Sequence, residues 1–307
     1  MGGQALSRAE VRLGPEVAAA LAGGRPVVAL ETSLIAQGLP SPRNLEAAVA
    51  CEEAVRARGA VPATTAVIAG ELRAGLEREE LERLADPGAA VHKLSSRDLG
   101  WALAGGALGA TTVAGAIRIA ALAGIRFMAT GGIGGVHRSR AGHAEDQSAD
   151  LVELTRSPVA VVCAGAKMIL DIPATLERLE SLAVPVLGYG CDEFPAFYSA
   201  TSGRPVPARV DGPLEAARAL AAAWATGAAG AVVAVPPPEE LLGAAGIVEQ
   251  ALDESAAVEG AAVTPAALAR IAELTGGRSV EVNVSVVVNN AAVAADCAVA
   301  WARRGGG

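Results

Sequence analysis

Two lysines stand out among the residues that could do chemistry. The chain has 25 lysine and arginine residues, and only Lys93 and Lys167 are lysines. A guanidinium stays protonated in proteins, whereas a desolvated ammonium can lose its proton and act as an amine nucleophile. Lys167 ends the stretch 158–167, which begins as a continuous apolar run, so burial there would disfavour its charged form. This pattern favours covalent catalysis by Lys167, with an ordinary strand-end lysine that reaches to water as the alternative.

Carboxylates beside predicted strand and helix ends are the second group of candidates. Glu31 directly follows the predicted buried strand 25–30, and the carboxyl ends of such strands commonly carry functional groups. A solvated strand-end acid is the alternative. Asp146 and Asp150 are four residues apart, so a helix starting at 146 would present both on one face. Their oxygens suit Mg²⁺ or Mn²⁺, and the competing explanation is stabilisation of the helix N-terminus.

Three loops are candidates for ligand contact. The glycine-rich stretch 130–138 lacks the spacing and the following helix of a dinucleotide site, so it predicts a loop that approaches a ligand closely. Thr111 and Thr112 precede the predicted helix 113–122, whose N-terminus could bind an anion or simply be capped by threonine. The aromatic stretch 194–198 could stack on a planar ring or pack in the core.

Composition excludes several classes of protein. A net charge of −8 argues against a nucleic-acid-binding surface. The four cysteines form no CxxC pair, which is typical of reduced thiols in a cytosolic protein. The sequence begins without a basic, apolar leader, and its alanine-rich segments are interrupted by charges or glycine, so neither secretion nor a membrane span is expected.

Strand and helix patterns alternate along the chain, which predicts one α/β/α domain over 1–307. The segment 279–302 is ambiguous, because its valines favour a strand whereas the alanines after residue 290 favour a helix.

Taken together, the motifs resemble the pseudouridine-5′-phosphate glycosidase family, also called indigoidine synthase A-like. The resemblance covers nearly the whole chain in order. It is carried by VALETS at 28–33, GAVPAT at 59–64, KLSSRD at 93–98, GATTVA at 109–114, ATGGIGGVHR at 129–138, SADL at 148–151, VVCAGAK at 161–167, AELTGG at 272–277 and NNA at 289–291.

The resemblance implies a role for individual residues. Lys167 matches a nucleophile that forms an imine with ribose, and Glu31 matches the proton donor. Asp146 matches the ligand of a divalent metal, typically Mn²⁺. A substrate-binding role is implied for Lys93, Val113, Thr130, Ser148, Ala149, Asp150 and Asn289.

The resemblance also implies a three-layer α/β/α fold with a mixed, mostly parallel sheet, a helical ending from residue 280, a homotrimer and a cytoplasmic location. Two positions depart from the family pattern: Gln37 stands where histidine is expected, and Val235 where asparagine is common. Both departures concern recognition of the base and loop closure more than the core reaction.

The implied activity is reversible cleavage of pseudouridine 5′-phosphate to uracil and ribose 5-phosphate, with no nucleic acid or membrane as partner. The bond to be broken joins two carbons, so an imine is needed as an electron sink, which explains the amine. Two rivals stay open. One is a sugar-phosphate aldolase that uses a lysine imine, and the other is a non-catalytic sugar-phosphate-binding protein.

Overall fold

A computed structural model describes residues 9–138, 146–255 and 263–304. The strands are β1 (Val11–Leu13), β2 (Val27–Leu30), β3 (Val61–Ile68), β4 (Glu71–Ala74), β5 (His92–Leu94), β6 (Gly109–Thr111), β7 (Phe127–Ala129), β8 (Val136–His137), β9 (Ala160–Cys163), β10 (Leu170–Asp171), β11 (Val186–Tyr189), β12 (Ala208–Val210) and β13 (Ala231–Ala234).

Helices connect most of these strands. They are α1 (Pro15–Ala22), α2 (Arg43–Ala57), α3 (Arg78–Ala85), α4 (Leu99–Ala104), α5 (Val113–Leu122), α6 (Ala149–Leu154), α7 (Ile172–Ser181), α8 (Pro213–Ala225), α9 (Ala244–Glu254), α10 (Val263–Leu274) and α11 (Arg278–Ala302). A π-helical turn, Leu34–Gly38, and a 3₁₀ turn, Ser96–Asp98, complete the helical elements of the described residues.

The main sheet is mixed and mostly parallel. Its strands follow the order β1-β4-β3-β2-β7-β9-β13-β11-β12, with β6 branching from β3 and β5 pairing with β6. The pairs of β3 with β4 and of β3 with β6 are antiparallel, and the other pairs of this sheet are parallel. In the described part of the chain, β8 and β10 form a separate antiparallel pair.

Continuous apolar runs form the central strands because both faces of the sheet are covered. Successive residues of each strand point to opposite faces. Ala29 and Val161 belong to a cluster with α1, α5 and α10, whereas Val28 and Val162 pack with α2, α8 and α11. The predicted three-layer α/β/α fold with a mixed, mostly parallel sheet is therefore confirmed.

The ambiguous ending is a helix, α11, of 25 residues. Its buried residues include Val282, Val286, Ala291 and Ala298, so burial of one face against the sheet outweighs the strand preference of valine. By length and composition α11 could cross a membrane, which the sequence reading overlooked. Half of its apolar window is buried inside the fold, as in the core helix of a folded domain.

Helix α6 begins later than predicted. Ser148 is its N-cap residue, and its Oγ accepts a hydrogen bond from the Asp150 backbone N–H. Asp146 lies before the helix, where its carbonyl accepts a hydrogen bond from the His137 N–H. The prediction that Asp146 and Asp150 share one helical face is therefore wrong, because the backbone at Ser148 is extended and the helix begins only at Ala149.

Candidate active site

Three adjacent parallel strands deliver the central residues of a cleft. In the order β2-β7-β9, Glu31 follows β2, Thr130 follows β7, and Lys167 lies just beyond β9. Because the carboxyl ends of neighbouring parallel strands meet at one edge, residues that are 136 positions apart in sequence line the same cleft. The sequence-predicted nucleophile and acid are thus brought together.

Lys93 reaches the same cleft from the branch of the sheet. It lies on β5, which pairs with β6 and places Lys93 beside Ala110. The enclosed space of the cleft is small, about 50 Å³. Its lining residues are Glu31, Ser33, Leu34, Gln37, Gly38, Lys93, Thr130, Gly131, Gly132, Lys167, Phe197, Thr264, Pro265, Leu268 and Asn283.

The Glu31 carboxylate is held by three donors from two strand ends. Its Oε2 accepts hydrogen bonds from the Ser33 hydroxyl at 2.8 Å and from the Leu34 N–H at 3.1 Å. Its Oε1 lies 3.4 Å from the Thr130 hydroxyl. The half-buried acid is therefore fixed in direction, as a group that transfers a proton at one position must be.

Lys167 is positioned by two loops that run side by side. After β9, the Ala164 N–H donates to Gly131 O at 2.8 Å, and the Lys167 N–H donates to Ile133 O at 3.2 Å. Gly165 has a φ of +70°, and a Cβ there would lie 1.9 Å from the carbonyl oxygen of Pro195. The glycine is therefore required for the turn that points the chain towards Lys167.

Lys93 has a lowered pKa, and the charged groups of the cleft contribute to it. Lys93 is an exposed residue, yet partial burial of its ammonium group lowers its pKa below the ordinary value, and repulsion from Lys167 lowers it further. The negative charges of Glu31 and Asp150 act in the opposite direction. The charges of Lys167, Glu31 and Asp150 therefore all act on the Lys93 ammonium group.

Asp150 joins the glycine-rich loop to helix α5. It is 5% exposed, and its two oxygens accept hydrogen bonds from the backbone N–H groups of Ala114 at 2.9 Å and Gly134 at 2.8 Å. A Cβ on Gly134 would lie 2.3 Å from Ser148 Oγ, so the glycine permits this close approach. Asp150 and Ser148 therefore shape the site through backbone contacts, and the cleft lining does not include them.

The N-terminus of α5 is largely occupied by protein groups. The Thr112 hydroxyl accepts a hydrogen bond from the Gly115 N–H, and Asp150 takes the N–H of Ala114. Val113 is buried at the first helical position, and Ala149 is the first residue of α6. Threonine capping is thus the observed role of Thr112, and the Val113 backbone stays a predicted substrate contact.

Asp146, the predicted metal ligand, lies outside the cleft lining. Its side chain is 53% exposed, and its Oδ2 lies 3.8 Å from His137 Nε2. Among the described residues, no cluster of three or more histidine, cysteine or acidic side chains could hold a metal. An accessible carboxylate of this kind fits an ion that keeps several waters and meets a substrate oxygen, as Mg²⁺ and Mn²⁺ do. It does not fit a closed cage. The neighbouring residues 139–145, which include part of the predicted polar loop, lie outside the described residues.

Helix α11 contributes two asparagines that sequence reasoning did not select. Asn283 lines the cleft and is 5% exposed, and its Oδ1 has no hydrogen-bond partner among the described residues. Asn290 is fully buried and donates to the carbonyls of Thr130 and Gly131. The predicted Asn289 is half-buried and absent from the residues that line the cleft. A helical reading of 279–302 with its apolar face identified could have singled out Asn283 and Asn290 as buried amides.

The aromatic stretch packs in the core. Phe194, Phe197 and Tyr198 are each at most 3% exposed, although one edge of Phe197 reaches the cleft lining beside Gly132.

Gln37, one of the two departures from the family pattern, lines the cleft and donates through Nε2 to Val91 O at 3.3 Å. Its buried Oε1 is unpaired in the described structure. Val235, the other departure, is buried in the core beside β13.

Comparisons with known proteins find relatives over nearly the whole chain. A sequence profile for indigoidine synthase A-like proteins matches residues 16–300. A pseudouridine-5′-phosphate glycosidase from Herpetosiphon aurantiacus is 53% identical over 94% of this chain and 97% of that protein. One of the same description from Escherichia coli is 47% identical over 96% of this chain and 97% of that protein.

Two solved structures share the fold over nearly the full length. The prealnumycin C-glycosynthase AlnA, in complex with ribulose 5-phosphate, has a TM-score of 0.87 and 40% identity, and the match covers 96% of this chain and 98% of that one. An indigoidine synthase A-like protein from Thermotoga maritima has a TM-score of 0.86 and 32% identity, with 97% of this chain and 99% of that one covered. The chain belongs to the indigoidine synthase A-like family.

Proposed function

We propose that this protein reversibly cleaves the carbon–carbon glycosidic bond of pseudouridine 5′-phosphate, giving uracil and ribose 5-phosphate. The observation that carries the proposal is that one cleft brings together Glu31 and Lys167, beyond the carboxyl ends of β2 and β9, and Lys93 of β5. The printed activity of relatives that are about half identical over nearly their whole length supports the substrate. The carbon–sugar chemistry in the name of the C-glycosynthase supports the reaction class.

The proposed reaction begins at the anomeric carbon of the ribose. The Lys167 amine forms a bond to this carbon as the bond to the ring oxygen breaks, and Glu31 supplies the proton that this oxygen needs. The nitrogen lone pair then forms the imine while the bond from the sugar to the base breaks, and the base carbon takes up a proton. Water hydrolyses the imine to ribose 5-phosphate and restores the Lys167 amine, so the sum is substrate plus water to uracil plus ribose 5-phosphate.

Lys93 is the proposed partner of the phosphate. It is a point charge at the edge of the cleft, on the side where Asp150 links the glycine-rich loop to α5. The Val113 backbone, Ser148 and Ala149, which stand at the starts of α5 and α6, are the further proposed substrate contacts. Thr130 orients Glu31, and the unpaired amide oxygen of Asn283 is a candidate acceptor for an N–H of the base.

A divalent cation, with Mn²⁺ as the leading candidate, is proposed to bind Asp146. When bound, the ion would supply positive charge against the substrate phosphate. We also propose that the protein is cytoplasmic and that it forms a homotrimer. Sedimentation analysis would test the trimer.

Incubation of the protein with pseudouridine 5′-phosphate, with uracil release followed by chromatography, tests the function directly. Stoichiometric uracil and ribose 5-phosphate are expected. Fragments of the ribose carbon chain would instead indicate the aldolase alternative. Binding of ribose 5-phosphate with neither product formation nor a borohydride-reducible adduct would indicate a non-catalytic binding protein.

A further inference from the structure

A cluster of three buried threonine hydroxyls lies behind Glu31. The cluster consists of Thr32, which follows β2, Thr65 within β3 and Thr111 at the end of β6. All three residues are fully buried. Thr111 Oγ1 lies 2.9 Å from Thr65 Oγ1 and 3.3 Å from Thr32 Oγ1. Burying polar groups costs free energy unless they form hydrogen bonds. The hydrogen-bond partners of these hydroxyls therefore show which backbone segments the cluster connects.

Every hydroxyl proton of the cluster has a backbone acceptor. Thr32 Oγ1 donates to Thr65 O at 2.8 Å, Thr111 Oγ1 donates to the same oxygen at 3.0 Å, and Thr65 Oγ1 donates to Leu30 O at 3.0 Å. In return, Thr32 Oγ1 accepts the backbone N–H of Thr111 at 2.9 Å. The Thr32 N–H also donates to Thr111 O at 3.3 Å. The hydroxyls therefore tie together backbone groups of β2, β3 and β6.

The cluster lies where β3 changes its pairing partner. Strand β3 pairs with β2 in parallel up to Thr64 and with β6 in antiparallel fashion from Ala66. Strands β2 and β6 are not paired in the sheet, and the hydrogen bonds between Thr32 and Thr111 connect their ends. Thr65 stands at the junction, and the hydroxyl network replaces the missing ladder.

This junction fixes the position of Glu31 relative to Lys93, and the two residues line the cleft from different parts of the sheet. Glu31 precedes Thr32 at the end of β2, whereas Lys93 is carried by β5, which pairs with β6. Thr32 also begins the turn that holds the acid, because its carbonyl accepts the N–H groups of Ile35 and Ala36. A shift at Thr32 would therefore move the donors Ser33 and Leu34 together with the Glu31 carboxylate.

We infer that the Thr32–Thr65–Thr111 cluster positions Glu31 for proton transfer, a role that rests on the proposed function. Thr32 is the critical member, since its one oxygen both donates to Thr65 O and accepts from Thr111 N. None of the three threonines lines the cleft, so the cluster acts through Glu31 rather than on the substrate. Lys93 keeps its own backbone pairing with β6, so phosphate binding should be less affected.

The test compares Thr32→Val, which keeps shape and loses the hydroxyl, with Thr32→Ser, which keeps the hydroxyl. Each folded variant is assayed for uracil release over a range of pseudouridine 5′-phosphate concentrations, which gives kcat and KM, and the pH profile of kcat is measured at saturating substrate. We expect Thr32→Val to lose roughly 10- to 100-fold in kcat with KM within about threefold, because small displacements of a catalytic group have large effects. The limb on which kcat falls as the pH rises should shift, because a proton donor becomes inactive when it is deprotonated. Thr32→Ser should stay within about threefold of the parent kcat.

Ser157→Ala is the matched control. Ser157 is also fully buried and donates from its hydroxyl to Glu153 at 2.6 Å, away from the cleft, so its loss should affect stability but not kcat. If Thr32→Val does not fold, the pair Thr111→Val and Thr111→Ser provides the same comparison. Wild-type kcat and pH profile in a folded valine variant would overturn the inference, as would equal losses for valine and serine. Absence of uracil release by the parent protein would count against the proposed function instead.

Discussion

Asn290 holds the carbonyl of Thr130 across 160 positions of sequence, with its Nδ2 donating to Thr130 O at 2.8 Å. A second hydrogen bond runs to Gly131 O at 3.2 Å. The long C-terminal helix thereby fixes the first residues of the glycine-rich loop, including the threonine whose hydroxyl lies beside Glu31.

Asn290→Asp should destabilise the fold, because a carboxylate would face the two carbonyl oxygens that now accept hydrogen bonds from the amide. We expect the free energy of unfolding to fall by about 2–5 kcal/mol, measured by urea denaturation. Asn289→Asp, at the half-buried neighbouring position, should cost less than about 1 kcal/mol. Equal losses at the two positions would contradict the contact.

Lys167→Arg should remove activity, since the guanidinium keeps the charge but provides no amine for an imine. Activity is expected to fall by at least about 10³-fold, the scale of losing a covalent nucleophile. Ribose 5-phosphate with borohydride should leave an adduct on Lys167 of the parent protein, located by peptide mass spectrometry. An adduct confined to Lys93, or an active arginine variant, would refute the assignment.

Lys93 should give kcat/KM an alkaline limb. Its pKa is lowered by burial and by Lys167, so its positive charge is lost at a pH below that of an ordinary lysine. Binding of the phosphorylated substrate should weaken as the pH rises through this value, because kcat/KM reports groups of the free enzyme. Lys93→Arg should lack this limb, since the guanidinium stays charged.

Free pseudouridine is the control for the phosphate role of Lys93. It carries no phosphate, so its kcat/KM should lack the limb that depends on Lys93. The same limb for both substrates would place the phosphate elsewhere.

Chelation should remove most activity, and Mn²⁺ or Mg²⁺ should restore it, if Asp146 holds a divalent cation. Asp146→Ala should need at least about tenfold more metal for half-maximal activity, because a single carboxylate is the main protein ligand proposed. Asp192→Ala is a suitable control, since Asp192 is also a highly exposed acid. Full activity of Asp146→Ala without added metal would refute the site.

Asn283→Leu should weaken recognition of the base. The substitution keeps similar volume but removes the amide whose Oδ1 is unpaired within the described residues. In the synthetic direction, the KM for uracil should rise about 5- to 150-fold, the scale of a lost buried hydrogen bond of about 1–3 kcal/mol. The KM for ribose 5-phosphate should change little, and an equal rise for both would argue against base recognition.

The sequence by itself determined the alternation of strands and helices. It also identified Lys167, Lys93 and Glu31 as candidates for catalysis or substrate binding. These features are local: a continuous apolar run predicts a buried strand, and a lysine in a chain that otherwise uses arginine is visible without a fold. The three-layer fold followed from the same patterns and from the resemblance.

Only the tertiary structure decided which buried polar groups support these residues. Asn290, Asn283 and the Thr32–Thr65–Thr111 cluster depend on which strands become neighbours and which helix face packs on the sheet, and a short segment contains neither. The start of α6 was decided in the same way, whereas the family resemblance had implied the helical ending from residue 280, and α11 confirms it. An extended backbone at Ser148 separates Asp146 from the helix, and burial of one mainly apolar face of α11 outweighs the local strand preference of its valines.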